Sequence, residues 1–403
     1  MKQQLYLKNY TKRKKLKKKN KELSSKIFEK LIKEINQDLD KPNNSINVLS
    51  KKFKFNLNFG ELNKFKKYRS IALVGMGGSI LGSEAIYDFL KKKIKKKVYF
   101  FNNLDEDQIL NFKKNKKFSE ILFIIISKSG NTVETLANIF SLGIIKKNAK
   151  NIILISEKNN FLYNLSKKFN LFFVEHRKNV GGRYSVLSEV GLIPALLMGV
   201  DIKKLRLNIL DFLKNQDRKF LKDSAIRISK ILSSKKIYNI VFLSYSPELE
   251  KFLFWCQQLI AESLGKKNIG FLPMISSVPK DHHSLLQLYL DGPKDKIFYI
   301  FNVREHSEKK IKIKYQKGIK SFLNSKNLAE IKNAQRKALI KAFKLKDIPF
   351  REFKISKLDE GVIGKLFSYF ILETVIIAKL NRINPFDQPA VEQVKKFTKQ
   401  ILS

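Results

Sequence analysis

The stretch Ile71-Ala72-Leu73-Val74-Gly75-Met76-Gly77-Gly78-Ser79-Ile80-Leu81-Gly82-Ser83 decides the fold. A short apolar run ends in a glycine-rich turn, and the turn opens directly into a helical pattern. Downstream, apolar runs at Val98 to Phe101, Ile121 to Ile126, Ile152 to Ile155 and Leu171 to Val174 alternate with longer helical segments. A parallel sheet flanked by helices buries such runs on both faces. After a long helical region from Asp201 to Leu232 the scheme repeats, with strand-like runs at Ile237 to Leu243, Ile269 to Met274, Ile297 to Val303 and Ile348 to Phe353. The chain therefore reads as α/β in four parts. Residues 1–60 form an N-terminal helical extension, in which Ser24 to Leu39 is helical and Lys41-Pro42-Asn43-Asn44 breaks the rhythm. Residues 61–200 and 201–358 form two similar α/β units, and 359–403 form C-terminal helices divided at Asn384-Pro385. The basic segment Lys309 to Lys320 reads as an exposed connection or strand edge.

Composition sets limits on function. A chain of 403 residues suits two domains of roughly 100–200 residues, and 43% hydrophobic residues suffice for buried cores. The single cysteine, Cys256, excludes an internal disulfide framework and fits a reducing, cytoplasmic setting. The start of the sequence has no apolar secretory core, since the basic cluster Lys12 to Lys19 runs into polar residues. Leu366 to Leu380 is interrupted by Glu373 and falls short of a membrane span, so a buried helix is expected and no membrane partner. A formal charge of +45, with the polybasic run Lys12 to Lys21, raises a nucleic-acid reading. The lysines are nevertheless spread over nearly every surface segment, without an aromatic-interleaved RNA motif. A compositional bias with solvated lysine faces is expected, with no specific nucleic-acid partner.

Five segments carry chemistry. The glycine turn 75–79 lets backbone approach closely and aims N–H groups at a bound anion; it lacks the G-x-G-x-x-G spacing and a Walker lysine, so a structural turn stands beside anion contact. Ser127-Lys128-Ser129-Gly130-Asn131-Thr132-Val133-Glu134-Thr135 follows a strand and starts a helix, which suits a phosphate monoester, with helix capping by Asn131 or Thr132 as the plain alternative. Val180-Gly181-Gly182-Arg183-Tyr184-Ser185-Val186-Leu187-Ser188 offers Arg183, either as an oxyanion stabiliser or as a surface ion-pair partner. In Gln257-Gln258-Leu259-Ile260-Ala261-Glu262-Ser263-Leu264-Gly265-Lys266, Gln258 and Glu262 share a helix face, and partial desolvation would raise the Glu262 pKa towards that of a general base. Pro279-Lys280-Asp281-His282-His283-Ser284 holds two of four histidines, with no second cluster at metal spacing; acid–base work fits it better than zinc.

Together with Asn384-Pro385-Phe386-Asp387-Gln388-Pro389-Ala390-Val391-Glu392-Gln393-Val394-Lys395, these segments resemble the glucose-6-phosphate isomerase family over about Ile71 to Lys396. The resemblance implies two sugar-isomerase (SIS-type) α-β-α sandwich domains with parallel sheets. It also implies a cofactor-independent, metal-free aldose–ketose isomerase of glycolysis and gluconeogenesis, working as a homodimer with shared active sites. By the same resemblance Glu262 moves the proton, Arg183 stabilises the enediolate and His283, from the partner subunit, opens the ring. Lys395 assists ring opening. Gly78, Ser79, Ser127, Lys128, Ser129, Thr132, Gln258 and Gln388 fall on substrate contacts. Asn131 stands where threonine is usual, Ala390 where glycine is and Leu264 where asparagine is; the first is expected to weaken phosphate binding and the second to shift Lys395.

Overall fold

The computed structural model describes residues 5–10, 18–304, 311–314 and 322–402. Residues 12–17 of the polybasic run, and 309–310 and 315–320 of the later basic segment, lie outside them.

Two five-stranded sheets organise the chain. The first joins β2 (Ser70–Gly75), β3 (Lys97–Phe101), β4 (Ile121–Ile126), β5 (Ile152–Ser156) and β6 (Phe172–Glu175) in the order β3-β2-β4-β5-β6, all parallel. Alternation explains its stability: Ile71, Leu73, Leu122 and Ile124 enter one core while Ala72, Val74, Phe123 and Ile125 enter another on the opposite face. The second joins β1 (Leu5–Tyr10), β7 (Asn239–Ser244), β8 (Leu272–Ser277), β9 (Lys296–Val303) and β10 (Phe350–Ile355) in the order β1-β10-β9-β7-β8. It is parallel except at β1, which runs antiparallel to β10 with Leu5 opposite Ile355.

β1 corrects the expectation of a wholly helical N-terminal extension. The helix Lys18–Leu39 is present, but Leu5–Tyr10 closes the second sheet. Its anchor is a polar network that runs inward from the surface: Asn9 donates to Asp223 at 3.0 Å and accepts from Arg351 Nε at 3.1 Å, and Arg351 in turn makes a buried, two-pronged pair with Glu373 at 2.9 and 3.1 Å. Other boundaries differ as well, with β7 and β10 each beginning two residues later than Ile237 and Ile348. β8 begins three residues later than Ile269, because Lys266 and Ile269 bridge across a tight turn in which Lys267 and Asn268 adopt φ of +54° and +56°. The region 201–232 divides into Ile202–Leu207 and Asn215–Ser234, with Asp201 capping the first through Lys203 and Lys204 N–H.

The helix Glu360–Leu380 is the core expected of Leu366 to Leu380; 89% of its most apolar stretch is buried inside the protein. Against it packs the helix Glu250–Leu264, with Trp255 and Phe367 rings 4.7 Å apart and Phe252 and Phe370 rings 5.7 Å apart. Glu250–Leu264 also contacts Leu81–Leu90, the helix that follows the glycine turn. It therefore joins the two units, and its polar end reaches the first sheet's strand tips.

Candidate active site

β2 and β4 are neighbours, so the glycine turn and the 127–132 loop leave the sheet side by side. Ligands in open parallel sheets bind at such carboxyl ends. Gly78 is required there: a Cβ on it would lie 2.2 Å from the Gly182 carbonyl carbon and 2.6 Å from Arg183 N. Backbone thus lies against backbone, and Arg183 is delivered beside the turn.

Arg183 is 2% exposed, which removes the surface ion-pair alternative. Its five N–H donors are all engaged. Nε donates to Ser263 Oγ at 2.9 Å, Nη1 to Glu262 Oε2 at 3.0 Å and to Gln388 Oε1 at 2.9 Å, and Nη2 to the carbonyls of Pro385 at 2.5 Å and Asp387 at 3.0 Å. A buried guidinium group needs this compensation of charge and hydrogen bonds. Glu262 is half-buried on the helix, and its other oxygen accepts from Gln258 Nε2 at 2.9 Å, as the four-residue spacing predicts. Gln258 meets the turn as well, its Nε2 lying 2.9 Å from where a Gly77 Cβ would stand. Its buried Oε1 has no partner among the described residues, leaving one acceptor for a ligand hydroxyl.

In the second loop Ser127 Oγ and Thr132 Oγ1 are 2.9 Å apart. Thr132 is the N-cap of Val133–Leu142 without a side-chain capping bond, so neither capping alternative holds as expected and the helix's first N–H groups receive no cap from it. Gly130, at φ +66°, closes the loop through its N–H to the Ser127 carbonyl at 3.1 Å. Asn131 donates its backbone N–H to Ser129 Oγ at 3.3 Å. Lys128 donates to the Lys178 carbonyl at 2.8 Å and pairs with Glu157 at 3.6 Å; burial lowers its pKa below the ordinary lysine value. Ser79 borders the same corner, its Cβ 3.3 Å from where a Gly75 Cβ would stand.

The sequence-selected residues do not all converge within one chain. His283 is exposed on the short turn Lys280–His283, and no hydrogen bond or ion pair among the described residues joins it to Glu262 or Arg183. His282 is anchored by Tyr245, its Nε2 3.1 Å from the phenol oxygen. Lys395 lies on the exposed helix Val391–Leu402 and pairs with Glu392 at 2.7 Å. A cavity of about 1050 Å³ reaches Glu262 and Gln388 from beside Ile269 and Val391; none of residues 127–132 line it, so it is the space below the C-terminal helix rather than the loop corner. Sequence reasoning missed Ser263 and Tyr184, whose hydroxyls are 2.8 Å apart, with Tyr184 also donating to the Pro385 carbonyl at 2.9 Å. Their adjacency to Glu262 and Arg183 was the available signal.

A family model described as phosphoglucose isomerase matches residues 27–272. A probable glucose-6-phosphate isomerase of Methanococcus maripaludis is 35% identical over 362 residues, covering 85% of this chain and 81% of the relative. A glucose-6-phosphate isomerase of Campylobacter jejuni is 33% identical over 360 residues, covering 84% and 86%. In fold, the crystal structure of a glucose-6-phosphate isomerase from Chlamydia trachomatis matches with a TM-score of 0.76 at 17% identity, covering 99% of this chain and 88% of that one.

Proposed function

The chain belongs to the phosphoglucose isomerase family, and from that premise we propose that it interconverts glucose 6-phosphate and fructose 6-phosphate through an enediolate. The observation that carries the assignment of roles is the buried Arg183 ion-paired to the half-buried Glu262 beside the glycine turn. After ring opening, Glu262 takes the proton from C2 of the aldose and returns it to C1, while electron density moves onto the two oxygens. Arg183 lies where that negative charge gathers. Since every N–H of Arg183 is occupied at rest, a direct bond to a substrate oxygen requires exchange of one resting partner. Glu262 is the partner whose release also frees the base. Gln258 and Gln388 orient the sugar, with Gly78 and Ser79 at its edge. The phosphate is read onto Ser127, Lys128, Ser129 and Thr132, before the Val133–Leu142 helix, whose N-terminal dipole favours an anion. Positioning by that grip reduces the entropic part of the barrier.

The reading includes a homodimer in the cytoplasm. In it His283 of the partner subunit opens the ring, and the exposed Val391–Leu402 helix brings Lys395 to the sugar. The exposure of both residues in the single chain supports this, because neither is committed to a contact with the Arg183 cluster. The test is a coupled assay on fructose 6-phosphate, following glucose 6-phosphate with EDTA present. Wild-type protein turns over; Glu262→Gln, which keeps the shape of the carboxylate, loses turnover while binding substrate within a few-fold. Substantial residual activity in that variant would sink the base assignment.

A further inference from the structure

One charged side chain of the Gln257 to Lys266 segment has no role so far. Lys266 follows Gly265, the C-cap of Glu250–Leu264, four residues beyond Glu262. Its side chain is 13% exposed. The ammonium donates to the Asn384 carbonyl at 2.5 Å, the Asp387 carbonyl at 2.7 Å and Asp387 Oδ1 at 2.7 Å. A lysine has three N–H donors, and here three protein oxygens take them. Such a saturated ammonium is not free to hold a phosphate.

What it holds is the loop that holds Arg183. The Asp387 carbonyl accepts from Lys266 and from Arg183 Nη2 at 3.0 Å, and the next residue, Gln388, meets Arg183 Nη1 at 2.9 Å. Lys267 adds a bond to the Arg382 carbonyl at 3.2 Å, so consecutive lysines tie the end of one helix to the chain leaving Glu360–Leu380. We infer that Lys266 is a positioning residue for the isomerisation: its clamp on Asn384 to Asp387 fixes the guanidinium of Arg183 and the amide of Gln388 against Glu262. This rests on the isomerase reading above.

The experiment compares full-length wild type, Lys266→Met and Lys266→Arg on fructose 6-phosphate, with the affinity for 5-phosphoarabinonate measured beside it. That acid carries a carboxylate where the enediolate oxygens develop. Lys266→Met is expected to lose roughly 10–100-fold in kcat, the scale of a small misplacement at a reacting centre. KM changes little, affinity for the acid falls in parallel with kcat, and Lys266→Arg recovers most of the loss. If Lys266→Met does not fold, Lys266→Gln, which keeps an amide donor, is judged in the same way. Wild-type kcat in the substituted protein, or a loss that matches only its unfolded fraction, overturns the inference. Absence of turnover in the wild type overturns instead the isomerase reading.

Discussion

A methyl group in place of one hydrogen of Gly78 would press on the carbonyl carbon and oxygen of Gly182 at 2.2 and 2.5 Å. The same addition to Gly182 meets nothing nearer than Gly78 Cα at 3.6 Å, an ordinary contact. Two glycines facing one another are thus unequal. Gly78→Ala should displace Arg183 and lower kcat by roughly 10²-fold, whereas Gly182→Ala should keep near-native turnover; steady-state kinetics of the pair checks the asymmetry. The sequence places Gly78 among the substrate contacts by resemblance and Gly182 only in the glycine pair before Arg183; their steric inequality is not legible there, since it depends on which backbone lies opposite. It did anticipate Gln258 and Glu262 on one face, because a four-residue spacing is local geometry. The Ser127–Thr132 hydroxyl pair was hidden for the opposite reason: helix starts ordinarily use such a threonine as a cap.

At the scale of elements, β6 is followed directly by a buried histidine. His176 is 2% exposed, and its Nδ1 lies 3.0 Å from the Arg177 carbonyl, which can only accept. Burial lowers its pKa to about 4 from the ordinary 6.5. The unfolded chain therefore binds a proton before the folded one does. The stability from this group is complete above about pH 6.5 and is lost as pH falls towards 4, by about 3 kcal/mol. Urea unfolding from pH 7 to 4 should show a steeper decline for wild type than for His176→Gln; parallel curves would refute the claim. The central strands β4 and β5 of the first sheet were legible because each is a continuous apolar run buried on both faces, whereas the edge strands β3 and β6 are only partly buried. β8 was misplaced by three residues because Ile269 has strand character but is spent in a turn. β1 escaped notice because its half-polar Leu-Tyr-Leu-Lys-Asn-Tyr sequence gains strand identity only from β10.

For the whole molecule, the cross-subunit assignment has a quantitative consequence. Mixing inactive His283→Ala and Glu262→Gln subunits gives mixed dimers in which one of two sites is intact. Random exchange should restore about a quarter of wild-type activity, assayed after mixed dimers are verified; no recovery counts against the shared histidine. The +45 charge enters at this scale too, as a field that attracts an anionic sugar phosphate and weakens with salt. Finally, the pairing of β1 with β10 bears on the order of events at the ribosome. Asn9 and Arg351, bonded in the finished protein, are 342 residues apart in sequence. At about 5–20 residues per second, roughly 17–70 s separate the emergence of the two. The first sheet, drawn wholly from 70–175, can assemble during that interval, while β1 waits without its template. The second sheet is therefore sealed late in synthesis by a segment made long before the strand it pairs with.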